Sequence, residues 1–460
     1  IQAGLISISL SSAPYDQITL IPDSYVRPQP IPDAILAVVI EYEANGLQNT
    51  AVIDFLNRDK PRFVDSFAYQ KGQPLITATD PDAKLKQVAA LVANLDNSYL
   101  TIQGPPGTGK TYTGKHIIAE LIKAGKTVGI SSNSHKAINN LLVSSVEHCH
   151  SENIAIKAYC TNNTGPDIEA NQIGITNNGK LAGMLDKGVL VGTTAWGFCR
   201  SDMADSLDYL FIDEAGQVAT ATLVGMSRAT KNLVILGDQM QLGQPSQSSH
   251  PAESGLSILD YLLHESPIIP EDMGVFLDTT YRMHSKVNQF ISDAIYEGEL
   301  VAHPSNDTQS IAIPDYYKGK LNLAAGVRFI PVLHEGNTQG SDEEVAEIVK
   351  LTRELIGREF TSKDGEVNPI TMGDILYVAP YNYQVNKLKL ALGPEAKVGS
   401  VDKFQGQEAP IVFFSLCSSD PQESSRGIEF LFNKQRINVA ISRAQALAVV
   451  VGNPNLLSSD

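Results

Sequence analysis

Between residues 82 and 255, short apolar runs alternate with longer stretches of helical periodicity. The runs at 99–103, 127–132, 154–159, 189–194, 209–213 and 232–237 are strand-like and apolar, with the longest unbroken stretches at 209–212 and 233–236. Unbroken runs of this length suit strands covered on both faces. Stretches 109–123 and 135–147 instead space their apolar residues as one helix face. After about residue 255 the rhythm starts again. Strands are predicted at 275–279, 327–332, 374–379, 411–416 and 446–452, and helices at 285–296, 342–356, 383–391 and 434–444. This is the β-α-β alternation of a parallel sheet with helices on both sides. The predicted organisation is two α/β domains in tandem, 82–255 and 256–460, with a cleft between them. The acidic run Asp342-Glu343-Glu344 fits the first turn of its helix, where it favours the dipole.

The first 75 residues read differently. Runs at 5–10, 17–21, 35–42 and 50–56 are β-branched or alternating, and Pro14, Pro22, Pro28, Pro30 and Pro32 punctuate them. They predict a small β-rich accessory module over 1–75, either a barrel or the tail of a preceding domain. Residues 57–81 read as a connector, and the polar stretch 161–179 as a surface insertion. No short repeat is present.

Composition narrows the function classes. The 460 residues exceed one compact domain and suggest about three. With 43% hydrophobic and 19% charged residues, the chain can build a large core. Its 35 Lys and Arg against 51 Asp and Glu leave a formal charge of −16. A uniformly basic coat is therefore excluded, and any nucleic-acid site must be a local groove. Cys149, Cys160, Cys199 and Cys417 lie far apart with no CxxC pair, so neither a disulfide framework nor a zinc ribbon is indicated. That usage fits a reducing interior, and a cytoplasmic location is expected. No apolar run is long enough for a membrane span. The sequence starts at Ile1 with no basic-then-apolar leader, so it is expected to begin inside a longer polypeptide.

Three segments carry chemistry. Gly104-Pro105-Pro106-Gly107-Thr108-Gly109-Lys110-Thr111 follows a predicted strand and opens a predicted helix, the context that makes a phosphate-binding loop. Backbone N–H groups would converge on phosphates, Lys110 would reach the β- and γ-phosphates, and the Thr111 hydroxyl would hold Mg²⁺. A second strand runs into Asp213-Glu214-Ala215-Gly216-Gln217. Asp213 there suits Mg²⁺ coordination, and Glu214 suits activation of an attacking water. A third strand ends in Gly237-Asp238-Gln239-Met240-Gln241-Leu242, where Gln241 would bond the γ-phosphate or that water.

In this order and spacing the motifs resemble those of superfamily 1 helicases. Thr280-Tyr281-Arg282-Met283-His284 is similar to a motif of the 1B branch, which includes the nonsense-mediated-decay helicase. Residues 401–408, Val-Asp-Lys-Phe-Gln-Gly-Gln-Glu, resemble motif V, and 438–444, Asn-Val-Ala-Ile-Ser-Arg-Ala, resemble motif VI. The resemblance covers 82–453 and implies two RecA-like domains with ATP and Mg²⁺ between them. It implies that Arg282 and Arg443 reach the γ-phosphate, that Tyr281 stacks on adenine, that Glu408 binds ribose and that Gln87 reads adenine. It also implies single-stranded DNA or RNA as partner, with movement from 5′ to 3′.

Nucleic acid would cross the faces away from ATP. Ser134, His135 and Lys136 leave a strand and begin a helix, so they would hold a phosphate, although the family usually has Pro-Ser-Asn where Asn133-Ser134-His135 stands. Thr193 and Thr194 end a further strand, while Lys403 and Gln405 would grip the chain from the second domain. Tyr381 and Tyr383 are candidate stacking platforms, with ordinary packing as the competing role. His148-Cys149-His150 with Cys160 matches no ordinary zinc spacing. The predicted function is an ATP-dependent helicase or translocase. The alternatives are an ATPase that clamps or remodels nucleoprotein with little unwinding, and a nucleotide-binding scaffold, against which the intact set of catalytic residues argues. Residues 134–142 are also similar to the helicase half of bacterial fusions with a RecB-type nuclease, which would place a nuclease domain in the same polypeptide.

Overall fold

The computed structural model describes residues 27–457, except 166, 244–249, 265, 405 and 421–426. The expected runs at 5–10 and 17–21 lie outside the described residues, as does Gln405.

Two helices, α1 (Ile31–Asn45) and α2 (Ala51–Leu56), precede α3 (Pro81–Ala93). The first α/β unit then runs β1 (Tyr99–Gln103), α4 (Lys110–Lys123), β2 (Val128–Ser131), α5 (His135–Ser151), β3 (Lys157–Cys160) and β4 (Gly174–Ile175). It continues with β5 (Val189–Gly192), α6 (Ala195–Phe198), β6 (Leu207–Ile212), α7 (Thr220–Ser227), β7 (Thr230–Gly237), α8 (Ile258–Leu263) and β8 (Gly274–Phe276). These eight strands form one sheet in the order β4-β3-β5-β2-β6-β7-β1-β8, parallel throughout.

The unbroken apolar runs follow from burial on both faces. Leu100 and Ile102 of β1 join the cluster under α3, α4 and α5, while Tyr99 joins the one under α1, α2, α7 and α8. Val234 and Leu236 of β7 face the first cluster, Leu233 and Ile235 the second. Side chains alternate sides at period two, and both sides are dry.

A crossover segment holds the pair β9 (Thr279–Thr280) and β10 (Val301–Ala302) around α9 (Ser285–Ile295). The second unit comprises β11 (Ser310–Ile311), β12 (Gly326–Pro331), α10 (Asp342–Leu355), β13 (Glu359–Thr361), β14 (Val367–Pro369), β15 (Ile375–Ala379) and α11 (Asn382–Leu392). It ends with β16 (Lys397–Ser400), β17 (Ala409–Ser415), α12 (Ile428–Leu431), α13 (Lys434–Ile441) and β18 (Ala444–Gly452). Its main sheet, β12-β18-β17-β15-β16, is again parallel, and β11-β13-β14 form a small antiparallel flap. One cluster on this sheet, built on α9 and α13, also takes in Leu242, Met240 and Phe276 from the first unit. A shared apolar seam thus joins the units beside the cleft.

Two expectations are corrected. No strand is present over 27–75 among the described residues; 35–42 and 50–56 are helical. Pro32 in the first turn and Gly46 in left-handed geometry after Asn45 are helix start and stop signals. Within α1 only Ala34 and Val38, one turn apart, are deeply buried, so the β-branched run Val38-Val39-Ile40 follows the helix period. These helices are integral to the first unit: Phe55 is fully buried against the edge of Tyr99 at 5.7 Å between ring centroids, and Ser98 donates to Asp54 at 2.6 Å. The strand expected at 275–279 belongs to the first sheet, paired to β1, so that sheet reaches beyond residue 255. Periodicity identifies a strand and leaves its partner open.

The stretch 161–179 contributes the edge strand β4 and buries Ile168 and Ile173. Asp342 and Glu343 do begin α10 behind the Ser341 cap, but Glu344 is fully buried, accepting from Ser415 Oγ at 2.6 Å and the Cys417 N–H at 3.0 Å. No helix of the described residues is long and apolar enough to cross a membrane.

Candidate nucleotide site

The strand order sets the site. β6, β7 and β1 are neighbours, with Ile212 level with Ile235 and Gln103 level with Gly237. Asp213, Asp238 and Gly104 therefore leave the same carboxyl edge side by side, where parallel sheets bind ligands. The Gly104 N–H donates to the Gly237 carbonyl at 2.9 Å, tying the phosphate loop to the third motif. Gly109 caps α4 in left-handed geometry and aims its first N–H groups at the loop's hollow. Lys110 folds across that hollow, with Nζ donating to the Gly104 carbonyl at 2.5 Å.

Asp213 is buried, and burial followed by the charge of Glu214 pushes its pKa up to about 7, against the pull of Lys110. A buried carboxylate beside a second acid is a site for a cation. Asp213 and the exposed Thr111 fit Mg²⁺, which takes one or two protein oxygens and completes its shell with phosphate and water. Glu214 adopts φ 53°, a left-handed conformation that costs an L-residue roughly 1–2 kcal/mol. Such strain is characteristic of functional turns.

The crossover segment and the second unit each supply a guanidinium, Arg282 and Arg443. Thr280 Oγ1 donates to the Pro106 carbonyl at 2.9 Å, and the Tyr281 N–H donates to Gly107 at 2.8 Å, so the arginine segment is bonded directly to the phosphate loop. A Cβ on Gly107 would fall 2.6 Å from both Thr280 Oγ1 and Arg282 Cβ, which, with φ 78°, requires glycine there. Arg282 Nε is ion-paired to Glu408, and its Nη1 reaches the Ser442 carbonyl at 3.3 Å. Arg443 is 2% exposed; its Nε and Nη1 reach the carbonyls of Val439 and Gln407, each at 3.2 Å, while Nη2 is buried without a partner. Burial, then the like charge of Arg282, pulls the Arg443 pKa down to about 9, offset in part by Glu214 and Glu408. A buried guanidinium with an orphan N–H, set near a second guanidinium, suits an anion. An incoming γ-phosphate would satisfy the orphan N–H and relieve the repulsion.

The remaining ATP candidates fall around this centre. Tyr281 is 40% exposed and stacks on His303 at 4.9 Å, close enough to Asp278, Lys84 and Asp82 to feel their charges. Gln87 Oε1 accepts from the N–H groups of Thr77 and Ala78 at 3.0 Å, so it shapes the loop ahead of α3. Glu408, given to ribose by resemblance, is engaged by Arg282 and by Gln445 Nε2 at 3.0 Å. Although partial burial would raise its pKa, Arg282 holds the carboxyl below its ordinary value. Gln241 is buried, with Nε2 on Asp238 Oδ2 at 3.0 Å.

The nucleic-acid candidates divide. Ser134 and Lys136 are exposed at the head of α5, the Ser134 side chain makes no capping bond, and His135 is half-buried with its pKa lowered by burial. Thr194 is half-buried at the start of α6. Thr193 is not available: it is fully buried, donating to Asn178 Oδ1 at 2.8 Å and accepting from Thr161 Oγ1 at 2.9 Å. Lys403 is exposed, and its Nζ donates to the Val398 carbonyl at 2.9 Å, which leaves further donors on the ammonium. Tyr381 is packed in the core, whereas Tyr383 is 57% exposed. Cys149 and Cys160 are buried free thiols, and no cluster of three His, Cys, Asp or Glu side chains fit for a metal occurs among the described residues.

Comparison with known proteins agrees with this geometry. Two family models, each described as "AAA domain", match residues 83–253 and 255–455. The Drosophila melanogaster regulator of nonsense transcripts 1 homolog is 25% identical over 90% of this chain and 38% of its own length. The chain belongs to the superfamily 1 helicases, related to the nonsense-mediated-decay helicases. The Schizosaccharomyces pombe DNA polymerase alpha-associated DNA helicase A is 26% identical over 77% of this chain and 61% of its own length. The Arabidopsis thaliana DNA replication ATP-dependent helicase/nuclease JHS1 is 25% identical over 78% of this chain and 27% of its own length. The chain thus spans between about a quarter and three-fifths of these relatives.

Tyr296, Asn438 and Asp238 have structural roles at the cleft that the sequence did not reveal. Asp238 and Asn438 stood inside quoted motifs without a function. Tyr296 carried no signal, because a tyrosine at a helix end reads as packing.

Proposed function

We propose that this chain is an ATP-driven motor on single-stranded nucleic acid, translocating 5′ to 3′ and opening duplexes. The observation that carries the reading is the buried, unpartnered Nη2 of Arg443, set beside Arg282 and within electrostatic reach of Glu214. In this reading Lys110 and the loop amides hold the β- and γ-phosphates, and Glu214 takes the proton of the attacking water. Gln241 orients that water, and Arg282 and Arg443 meet the charge that develops on the γ-oxygens. Mg²⁺, held by Thr111 and Asp213, would neutralise phosphate charge. Tyr281, with Tyr112 beside it, would flank the adenine.

Because Arg443 sits on the second unit and Glu214 on the first, hydrolysis and product release would open and close the cleft. The grip on the strand by Ser134, Lys136 and Thr194 on one unit and Tyr383 on the other would then alternate. The four buried free cysteines support a reducing compartment, the cytoplasm. The name of the Arabidopsis relative supports a nuclease domain elsewhere in the same polypeptide.

The test is strand displacement beside ATP turnover, on DNA and RNA duplexes with a single 5′ or 3′ tail. Opening of 5′-tailed duplexes alone is the expected result. Opening of 3′-tailed duplexes alone would overturn the direction. Stimulated turnover without displacement would favour a clamp.

A further inference from the structure

The hydroxyl of Tyr296 connects the two units at the point where their chemistry meets. Tyr296 closes α9; its ring is fully buried in the shared apolar seam, 6.2 Å from Phe276. Its O–H donates to Asp238 Oδ2 at 2.6 Å and accepts from Asn438 Nδ2 at 2.8 Å. Asp238 leaves β7 of the first unit, and the same Oδ2 accepts from Gln241 Nε2. Asn438 belongs to α13, the helix leading into Arg443, and also donates to the Met240 carbonyl at 2.8 Å.

An unbroken chain of hydrogen bonds therefore runs Gln241–Asp238–Tyr296–Asn438. It starts at the side chain assigned to the attacking water and ends on the helix that carries an arginine to the γ-phosphate. All four side chains are buried. In such a place water cannot replace a lost partner, so the geometry is strongly specified. Only a group that donates on one side and accepts on the other can stand between a carboxylate and an amide N–H, and a phenol does both. Burial raises the Asp238 pKa, while Lys110, the Tyr296 hydroxyl and Gln241 hold it down.

We infer that Tyr296 is a positioning residue for ATP turnover, its hydroxyl fixing Gln241 on the first unit in register with Arg443 on the second. The inference rests on the ATPase reading above. Tyr296 is fully buried, with its hydroxyl on Asp238 and Asn438, and it acts through them. Misplacement of a reacting group by about 1 Å can cost ~100-fold in rate, so loss of this link should appear in turnover and leave binding nearly intact.

The experiment is steady-state ATP turnover of the full chain with saturating single strands, normalised to nucleotide-binding sites titrated in each preparation. Tyr296→Phe keeps the ring and its packing and removes the hydroxyl. It should lower kcat by ~10- to 100-fold with KM for ATP within about threefold. Asn438→Ala should behave alike, and the double variant should be no worse than the poorer single one. Tyr377→Phe is the control: Tyr377 is as fully buried, with its hydroxyl on Thr352 Oγ1 at 3.1 Å in the second unit's core, and its loss should spare kcat. Wild-type kcat in Tyr296→Phe would overturn the inference. A loss that Tyr377→Phe shares equally would also overturn it, by assigning the effect to core stability. If Tyr296→Phe does not fold, Asn438→Ala decides the matter from the other side, and an unchanged kcat there overturns the inference. An inactive wild type would instead refute the ATPase reading itself.

Discussion

Arg282 of the crossover segment is ion-paired through its Nε to Glu408 of the second unit. The pair fixes the plane of a guanidinium whose segment is bonded to the phosphate loop through Thr280 and Tyr281. Glu408 thereby aims an arginine. Contact with ribose, the role implied by resemblance, would appear differently in kinetics. Glu408→Gln should lower kcat by ~10-fold or more while KM for ATP moves by less than about threefold. A rise in KM alone would return Glu408 to the sugar.

The phosphate loop and the acidic pair make separable predictions. Lys110→Ala removes a charge that meets the phosphates in ground and transition states alike, so nucleotide affinity should fall. Glu214→Gln keeps the shape and removes only the group that accepts a proton. Binding of a fluorescent ATP analogue should then persist while turnover falls by ~10²-fold or more. Retained turnover in Glu214→Gln would take the residue out of its assigned role.

The N-terminal helices make a stability prediction. Phe55 is fully buried between Tyr99 of β1 and Tyr261 of α8, so Phe55→Ala should destabilise the first unit by ~3–5 kcal/mol in urea unfolding. A detachable accessory module would lose its own structure and leave that transition unmoved.

Much of this architecture was legible in the residues, for reasons the structure makes plain. Strand β1 lies at the expected 99–103 and α4 begins one residue inside its predicted start, because a dry parallel strand and a glycine-rich turn each leave a local signature. The order of β6, β7 and β1 then brings Gly104, Asp213 and Asp238 together without further information. What escaped was non-local. Val38-Val39-Ile40 has β-branched chemistry, yet prolines ahead of it and Gly46 behind it make a helix. Residues 274–276 have strand character, but only the fold shows that β1 is their neighbour. Thr193 sits at a strand end like a strand-binding threonine, and its hydroxyl is taken by Asn178 and Thr161, distant enough in sequence to be invisible. Tyr296 needed both units in place before its hydroxyl had any partner.

In the proposed function, the cleft between the two units is an ATP-hydrolysing site completed by Arg443. That assignment is tested most directly by measuring ATP turnover, with and without single strands, in the wild type and in Arg443→Ala, alongside binding of an ATP analogue. The wild type should turn over ATP and be stimulated by the strand. Arg443→Ala should bind the analogue within about threefold of wild type and turn over ~10³-fold more slowly, since the guanidinium acts on charge that develops only in the transition state. Equal turnover in the two proteins would contradict the account.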